Sequence, residues 1–373
     1  MFGNLLKIAF RNFKKHGGYS FINIFGLGVS IACCLLIYLW VSDELSYDRF
    51  YEHSERIYRV GYYSLVQGNS THGVQACPTL APKLNSDFPE VEAATRFRKL
   101  GYPVMRYRDY IFSEENFFAA DPFFFDVFNL PFIQGDPETA LEKPNSLVIN
   151  QSTARKYFGD DNPVGKVLNS DGKRDWRVTG VVKDIPGNSH FHFNFIASMN
   201  SYRGMGEEPT WLSNNYYTYF RLREHVDWKR FEQKLQREEI RYIKPQIAEM
   251  FGVSYEKLRQ AGNEYYHFLQ PLNWIHLHSN LEHELEPGGD MMYVTFFIIA
   301  ALGILILAVA NFVNLSTARS LNRAREVGIR KSVGSTRAAL IGQFLLESIL
   351  VVFFSMLFAL LTVITILPVF CEF

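Results

Sequence analysis

Three apolar stretches constrain this chain more than anything else in it: Tyr19 to Val41, Met291 to Val313 and Ile349 to Phe370. Each is longer than the roughly 18 residues that a helix needs to cross a bilayer. Lipid offers no partner to an exposed peptide group, so such stretches fold as helices whose backbone bonds are internal. Three spans are expected, with the polar stretch from about Asp43 to Asp290 outside the membrane. Averages over the whole chain hide this division. The formal charge of zero argues against nucleic acid, which demands a basic surface.

Charge then sets the direction of the spans. Leu315 to Ser348 carries Arg319, Arg323, Arg325, Arg330, Lys331 and Arg337 against one early acid, Glu326. A short loop this basic is retained on the cytoplasmic side, because lysine and arginine resist translocation. At the other end, Phe2, Leu5, Leu6, Ala9 and Phe13 fall at helical spacing, with Lys7, Arg11, Lys14 and Lys15 mostly elsewhere on the helix. This pattern predicts a cytoplasmic amphipathic helix over 1–18, and the same charges orient the first span, 19–42. Acids follow that span (Asp43, Glu44, Asp48) and precede the second (Glu282, Glu284, Glu286, Asp290). The region 43–290 is therefore expected to be extracytoplasmic, and it is long enough for a domain with its own core.

Within that region strand-like and helix-like text alternates, which predicts an α+β domain. RIYRVGYYSLV, SLVIN, WRVTGVVKDI and YYTYFRL read as strands, and a turn at Ser170-Asp171-Gly172 suits a hairpin. QSTARKYFG and DWKRFEQKLQREEIRYI read as helices, the second capped by Asp227. The phenylalanines of FFAADPFFFDVFNLPF are expected in a buried aromatic core rather than on a substrate surface.

Inside the spans, Gly26, Gly28, Ser30 and Ala32 offer small surfaces for helix packing. Asn311 and Asn314 at the inner end of the second span, and Glu347 in the third, are polar groups that need partners. Arg337 and Gln343 are near Glu347 in the helical pattern, and headgroup water is the alternative solvation. A helix through Arg319, Arg323, Glu326 and Arg330 presents one face, with Gly334 placed to end it and Ser335 to cap the next, which continues over 339–370 as the third span. Residues 371–373 then form an extracytoplasmic end.

Signals of catalysis are weak. Cys33 and Cys34 are adjacent in an apolar run, and Cys77 and Cys371 stand apart, so there is no disulfide framework or CxxC pair. A lipidated Cys33 is opposed by the apolar run that continues past it through LLIYLWV. Gly159 to Lys166, GDDNPVGK, has one residue too many between its glycines for a phosphate loop and valine where serine or threonine should hold magnesium. Histidines recur at His190 and His192, at His276 and His278, and at His283, alternate residues that a strand would aim to one side. With no convergent cysteines and no HExxH they do not specify a metal site. No GxSxG nucleophile is present. The chain reads as a non-enzyme.

Longer motifs point to a family. NFVNLSTARSLNRAREVGIRKSVGSTRAALIGQFLLES closely resembles the segment between the second and third spans of MacB-like, FtsX-type ABC transporter permeases. LLKIAFRNFKKHGGYSFINIFGLGVSIA resembles the family's N-terminus, and DELSYDRFYEHSERIYRV resembles the start of its periplasmic core. YFGDDNPVGKVL and VTGVVKDIPGNSHFHFNF are similar to later motifs of that core.

The resemblance implies helical spans plus a periplasmic α+β domain with a porter-like and a second subdomain, in a bacterial inner membrane. It also implies a cytoplasmic ABC ATPase partner that binds ATP and Mg, with no cofactor in this chain. Arg325, Glu326, Gly328, Arg330, Lys331 and Gly334, within 315–338, match the family's ATPase-coupling segment. A second permease half or a homodimer, and a periplasmic adaptor or envelope protein, are the further partners it implies. Family halves have four spans and larger members repeat the half, so a three-span chain is expected to be a first half, a truncated product or a fragment. Export, efflux and mechanotransmission all fit, and cargo stays open. The alternative is a membrane-anchored sensor or scaffold, with an enzyme in the outer domain a distant third.

Overall fold

The computed structural model describes residues 17–202, 210–322, 324–334 and 336–370. Residues 1–16 of the expected N-terminal helix, Arg323, the cap at Ser335 and the end at 371–373 lie outside the described residues. The chain forms two compact units, Ser46–Asp290 and the segments on either side of it.

The first helix, α1 (Gly17–Glu44), continues beyond the apolar run at both ends. A helix already nucleated by a long apolar run extends through a few polar residues at little cost, because each further residue adds a hydrogen bond. The Ser46–Asp290 unit then opens with β1 (Ile57–Val66), β2 (Asn69–Gly73), α2 (Leu80–Asp87) and β3 (Val91–Lys99). Next come the short strands β4 (Val104–Tyr107), β5 (Tyr110–Ser113) and β6 (Phe117–Ala120), then α3 (Phe124–Phe128) and β7 (Phe132–Gly135). The expected strand SLVIN is β8 (Ser146–Asn150), and QSTARKYF is α4 (Gln151–Phe158), capped by the Asn150 side chain on Thr153 N–H. The Ser170–Gly172 turn joins β9 (Val167–Ser170) to β10 (Arg174–Val182), with Asp171 and Gly172 both at positive φ as a tight hairpin requires.

β11 (Phe195–Ser198) and β12 (Tyr217–Leu222) follow, and then α5 (Trp228–Phe251), whose first turn is capped by Asp227 accepting from Lys229 and Arg230 N–H. The unit closes with α6 (Tyr255–Gln260), β13 (Glu264–Pro271) and the short α7 (Ile275–His278).

The thirteen strands form one mixed sheet in the order β13-β1-β12-β3-β6-β11-β8-β10-β9-β4-β5, with β2 added to β1 and β7 to β10. Three large hydrophobic clusters lie along it. One packs α2 and α5 against the β1, β12 and β3 region. Another packs α4 and Trp176 around β8 and β10. On the opposite face of the same strands the phenylalanines gather: the Phe97 ring has those of Phe118, Phe124, Phe128 and Phe191 at 5.8, 5.5, 6.2 and 5.4 Å. The aromatic run is thus a core, apart from Phe123, which stays half exposed. Burying each such ring stabilises the fold by roughly 1.5–3 kcal/mol.

The flanking segments contribute α8 (Met291–Asn322), α9 (Ala324–Ser332) and α10 (Arg337–Phe370). Three stretches within these helices and α1 have the length and apolarity of membrane spans: Ser20–Glu44, Met291–Ala318 and Leu340–Pro368. α1 packs on both α8 and α10. A Cβ on Gly28 would come within 2.6 Å of the Phe358 ring, so the missing side chain is what lets α1 and α10 approach. Ala32, Ala359 and Val363 continue that contact, and Trp40 meets Phe297 at 4.9 Å on the α8 side. Cys33 and Cys34 lie mid-helix in α1, with the Cys34 thiol directed to the Ala301 carbonyl at 3.4 Å.

Candidate functional site

The basic segment is helical on both sides of Arg323, over the end of α8 and over α9. Arg319 sits in the last turn of α8, while Arg325, Glu326, Gly328, Arg330 and Lys331 lie on α9. The second span thus carries its helix past the apolar run because Ser316 to Ser320 includes good helix formers and no glycine or proline to stop it. Gly328 and Lys331 are exposed, and Gly334 has φ +97° just after the last helical residue, with its N–H donating to the Lys331 carbonyl. Glycine is the residue for which that conformation is unstrained, and it stops α9 as the sequence led us to expect. What results is a basic helical segment that precedes α10 and is ended by a glycine.

Of the polar residues in the spans, Asn311 and Asn314 are both exposed, and the Asn311 amide lies 4.0 Å from where a Cβ on Gly26 would stand. Glu347 accepts from the amide of the buried Gln343 at 3.2 Å, one of the two neighbours its helical spacing offered. Asn311 and Asn314 thus lie on α8, and Glu347 with Gln343 on α10.

A denser polar site lies in the Ser46–Asp290 unit, built from acids and histidines that the sequence reading weighed only for topology and metal binding, together with Arg59 and Tyr219. Asp48, four residues beyond α1, is fully buried at φ +60°. Its Oδ1 accepts from Ser189 Oγ at 3.3 Å, from His190 N at 3.2 Å and from His190 Nδ1 at 2.8 Å. A carboxylate only accepts, so the proton is on Nδ1 and Nε2 is left to Tyr219 OH at 2.8 Å. Asn188 returns the tie, its amide donating to Ser46 Oγ at 2.8 Å and its carbonyl accepting from Asp48 N at 2.9 Å. The motif SYDRF is thus fastened to the motif NSHFH, with Asp48 and His190 142 positions apart in the sequence.

The segment leading to α8 is held in the same way. Buried Arg59 of β1 makes a two-pronged ion pair with Glu284, at 2.6 and 2.8 Å, and reaches Gln270 at 2.6 Å and Ser279 at 3.0 Å. Fork-to-fork pairing of this kind fixes geometry as well as charge. Glu286 accepts from His192 N at 2.8 Å and faces His192 Nδ1 at 3.0 Å. That pairing raises the His192 pKa, while the half-buried Glu286 carboxyl is held below its ordinary range: burial pushes it up, but the bonds and charge of His192 outweigh this. Tyr219, between the two halves, is buried, which pushes its phenol well up and keeps it neutral.

The histidines are the principal departure from the sequence reading. His190 and His192 lie in an irregular segment, and His276 and His278 in the helical turn α7 after Pro271 ends β13, so neither pair alternates on a strand. Each of His190 and His192 takes a carboxylate from a different segment. Gly159 to Lys166 links α4 to β9, running from helix to strand, whereas a phosphate loop runs from strand to helix.

Comparison with known proteins agrees with this architecture. Residues 20–238 match the model of the MacB-like periplasmic core domain, and 298–372 match the FtsX-like permease C-terminal domain. The chain belongs to the MacB-like periplasmic core domain family, and within it to the MacB/FtsX-type ABC transporter permeases.

Among similar proteins, a macrolide export ATP-binding/permease protein MacB from Mannheimia succiniciproducens is 22% identical over 248 residues, 66% of this chain and 34% of that protein. The MacB of Rhodopirellula baltica is 22% identical over 241 residues, 58% of this chain and 32% of its own. The chain spans about a third of the length of these curated relatives. A crystallised domain from Porphyromonas gingivalis, provisionally assigned to a permease, superposes with a TM-score of 0.50 at 26% identity, covering 59% of this chain and 91% of that domain. The protein is thus a permease-family membrane protein with a periplasmic α/β domain.

Proposed function

We propose that this chain is the transmembrane component of an ABC transporter, coupling ATP binding and hydrolysis in a cytoplasmic ATP-binding partner to movement of its periplasmic domain. The observation that carries the reading is the short, basic, glycine-ended α9 between two spans, in a chain whose spans flank a large periplasmic unit. Arg325, Glu326, Gly328, Arg330, Lys331 and Gly334 form the docking segment, the N-terminus and this loop face the cytoplasm, and ATP and Mg are held by the partner. The two MacB relatives are named as ATP-binding and permease in one protein, which supports an ATPase working against this kind of permease.

In this reading two nucleotide states of the partner bias two arrangements of the spans. The Asp48–His190 and Arg59–Glu284 contacts then pass the difference on, because they fasten the segments next to α1 and α8 to the sheet. Export, efflux or force on an envelope protein are the outputs this supports.

Co-expression with an ABC ATPase of the MacB type tests it. The partner is expected to co-purify, and its ATP turnover to rise on reconstitution with this chain. Both effects should fall at least several-fold in Glu326→Lys and Gly334→Pro. Unchanged association in both variants overturns the docking segment. A partner that binds with unaltered turnover favours the membrane-anchored sensor or scaffold instead.

A further inference from the structure

The two stretches of chain that tie the Ser46–Asp290 unit to the spans meet at one place within it. The Tyr47 ring stacks on the His276 ring of α7 at 3.3 Å, with the planes 5° apart. On the other stretch Gly288 lies so close that a Cβ there would stand 2.7 Å from the His276 carbonyl oxygen. Tyr47 is three residues beyond the end of α1, and Gly288 is three before the start of α8, where two apolar spans end. Three residues reach at most about 10 Å when fully extended. The headgroup layer itself adds roughly 5–7 Å on each side of the hydrocarbon. α7 is therefore held at the bilayer surface by two short tethers, whichever way the spans run.

The residues around α7 suit that depth. Trp274 immediately precedes it and is 50% exposed, its ring edge-on to those of His278 at 6.0 Å and Trp228 at 6.2 Å. Lys229 places its ammonium 5.7 Å from the centre of the Trp228 ring. On the other stretch the Arg49 N–H donates to the Ser46 carbonyl, a tight turn that keeps Phe50 beside the tether. Phe50 is 37% exposed, and the exposed Arg49 makes no ion pair among the described residues. Exposed apolar residues scattered singly are ordinary on any surface. These are gathered beside the tethers, on separate stretches of chain, each with a basic neighbour. Membrane–water interfaces favour that combination, because the tryptophan ring is amphipathic and a long basic side chain reaches lipid phosphate from an apolar setting.

We propose that the rim formed by Phe50, Trp228 and Trp274 docks on the phospholipid headgroup layer at which α1 and α8 end, with Arg49 and Lys229 on lipid phosphate. The tethers select the bilayer as the occupant. A gap of about 10 Å beside them is narrower than one helix with its side chains, so a protein has no room to enter there. Docked rings resist tilting of α7 against the bilayer, which makes the two tethers stiff levers in place of loose hinges. The site stands apart from the ATPase reading, since it requires the spans and no nucleotide.

The test uses the full chain, its four cysteines replaced by alanine, in phosphatidylcholine nanodiscs. Phe50→Cys, Trp274→Cys and Val66→Cys each carry the fluorophore NBD. Val66 is 54% exposed at the far end of β1, about 26 Å along the strand from Tyr58, which pairs with Pro271 next to the rim. Phosphatidylcholine with a nitroxide on its headgroup is expected to quench the labels on Phe50→Cys and Trp274→Cys at least threefold more than that on Val66→Cys, and more than lipid with the nitroxide at acyl carbon 12 does. Adding Trp274→Glu to Phe50→Cys should at least halve its quenching. Quenching at the rim no greater than on Val66→Cys overturns the proposal. So does quenching that Trp274→Glu leaves unchanged, because the rim would then be near lipid through its tethers alone. Stronger quenching by the acyl nitroxide would put the rings in the hydrocarbon and overturn headgroup docking. Shielding of the rim labels from iodide without quenching by either lipid would assign the rim to a protein contact and overturn it as well. Circular-dichroism spectra that match the parent exclude misfolding as the cause of lost quenching.

Discussion

At the scale of single residues, the ties at Asp48, Arg59, His192 and Glu286 make quantitative demands. Arg59 is fully buried and Glu284 largely so, and removing one partner of such a pair strands the other. Arg59→Met should therefore destabilise the periplasmic unit by about 3 kcal/mol, read from its denaturant midpoint, and a loss under 1 kcal/mol would show that Gln270 and Ser279 re-solvate the carboxylate.

The His192–Glu286 pair gives a pH dependence of definite sign. Raising the His192 pKa in the fold adds stability that is fully present below the ordinary histidine value and is lost as pH rises through the higher folded one. Lowering the Glu286 pKa adds stability that is present above its ordinary value and lost as pH falls through the lower folded one. The pair therefore contributes most in mildly acidic solution, between the ordinary carboxylate and imidazole ranges. His192→Gln should flatten the stability profile across that window, and an unchanged profile would remove this pair as its source. Both side chains are about one-third exposed, so solvent screening keeps the effect small.

At the scale of elements, local signals and tertiary contacts can be separated. The Asp227 cap of α5 and the Asn150 cap of α4 act through one or two side-chain bonds each, and Asp227→Ala should lower stability by about 1 kcal/mol in a thermal or urea melt. Gly28 acts through packing. Gly28→Leu should push α1 from α10, because any Cβ there meets the Phe358 ring, whereas Gly303→Leu on α8 has open space. Disulfide trapping between cysteines introduced at Ala32 and Ala359 should fail in the first variant and persist in the second. Equal trapping in both would mean that Phe358 swings aside.

The strand and helix texts of the periplasmic domain were legible because their alternation and caps are local in sequence. The histidine segments were not, because Pro271 and the ties to Asp48 and Glu286 settle their backbone from outside.

At the scale of the molecule, the arrangement of a periplasmic unit between spans makes an orientation prediction. Cysteine at Lys331 should react with a membrane-impermeant maleimide only after the cells are opened. Cysteine at the exposed Tyr102 should react in cells with a permeable outer membrane and intact inner membrane. The reverse pattern would overturn the proposed direction of all three spans.

The basic segment stood out in sequence because charge, a glycine and two apolar neighbours are contiguous there, and its candidate coupling residues came from the family resemblance. Asp48 and His190 are 142 positions apart and Arg59 and Glu284 are 225, so no window of the sequence brings either pair together. The spans, the polar division and the strand and helix texts were determined by the sequence alone, since hydropathy, charge and caps act over a few turns of chain. Which carboxylate meets which buried base only the tertiary structure decided. Those outcomes depend on the sheet's strand order, which sets long-range neighbours that no local preference encodes.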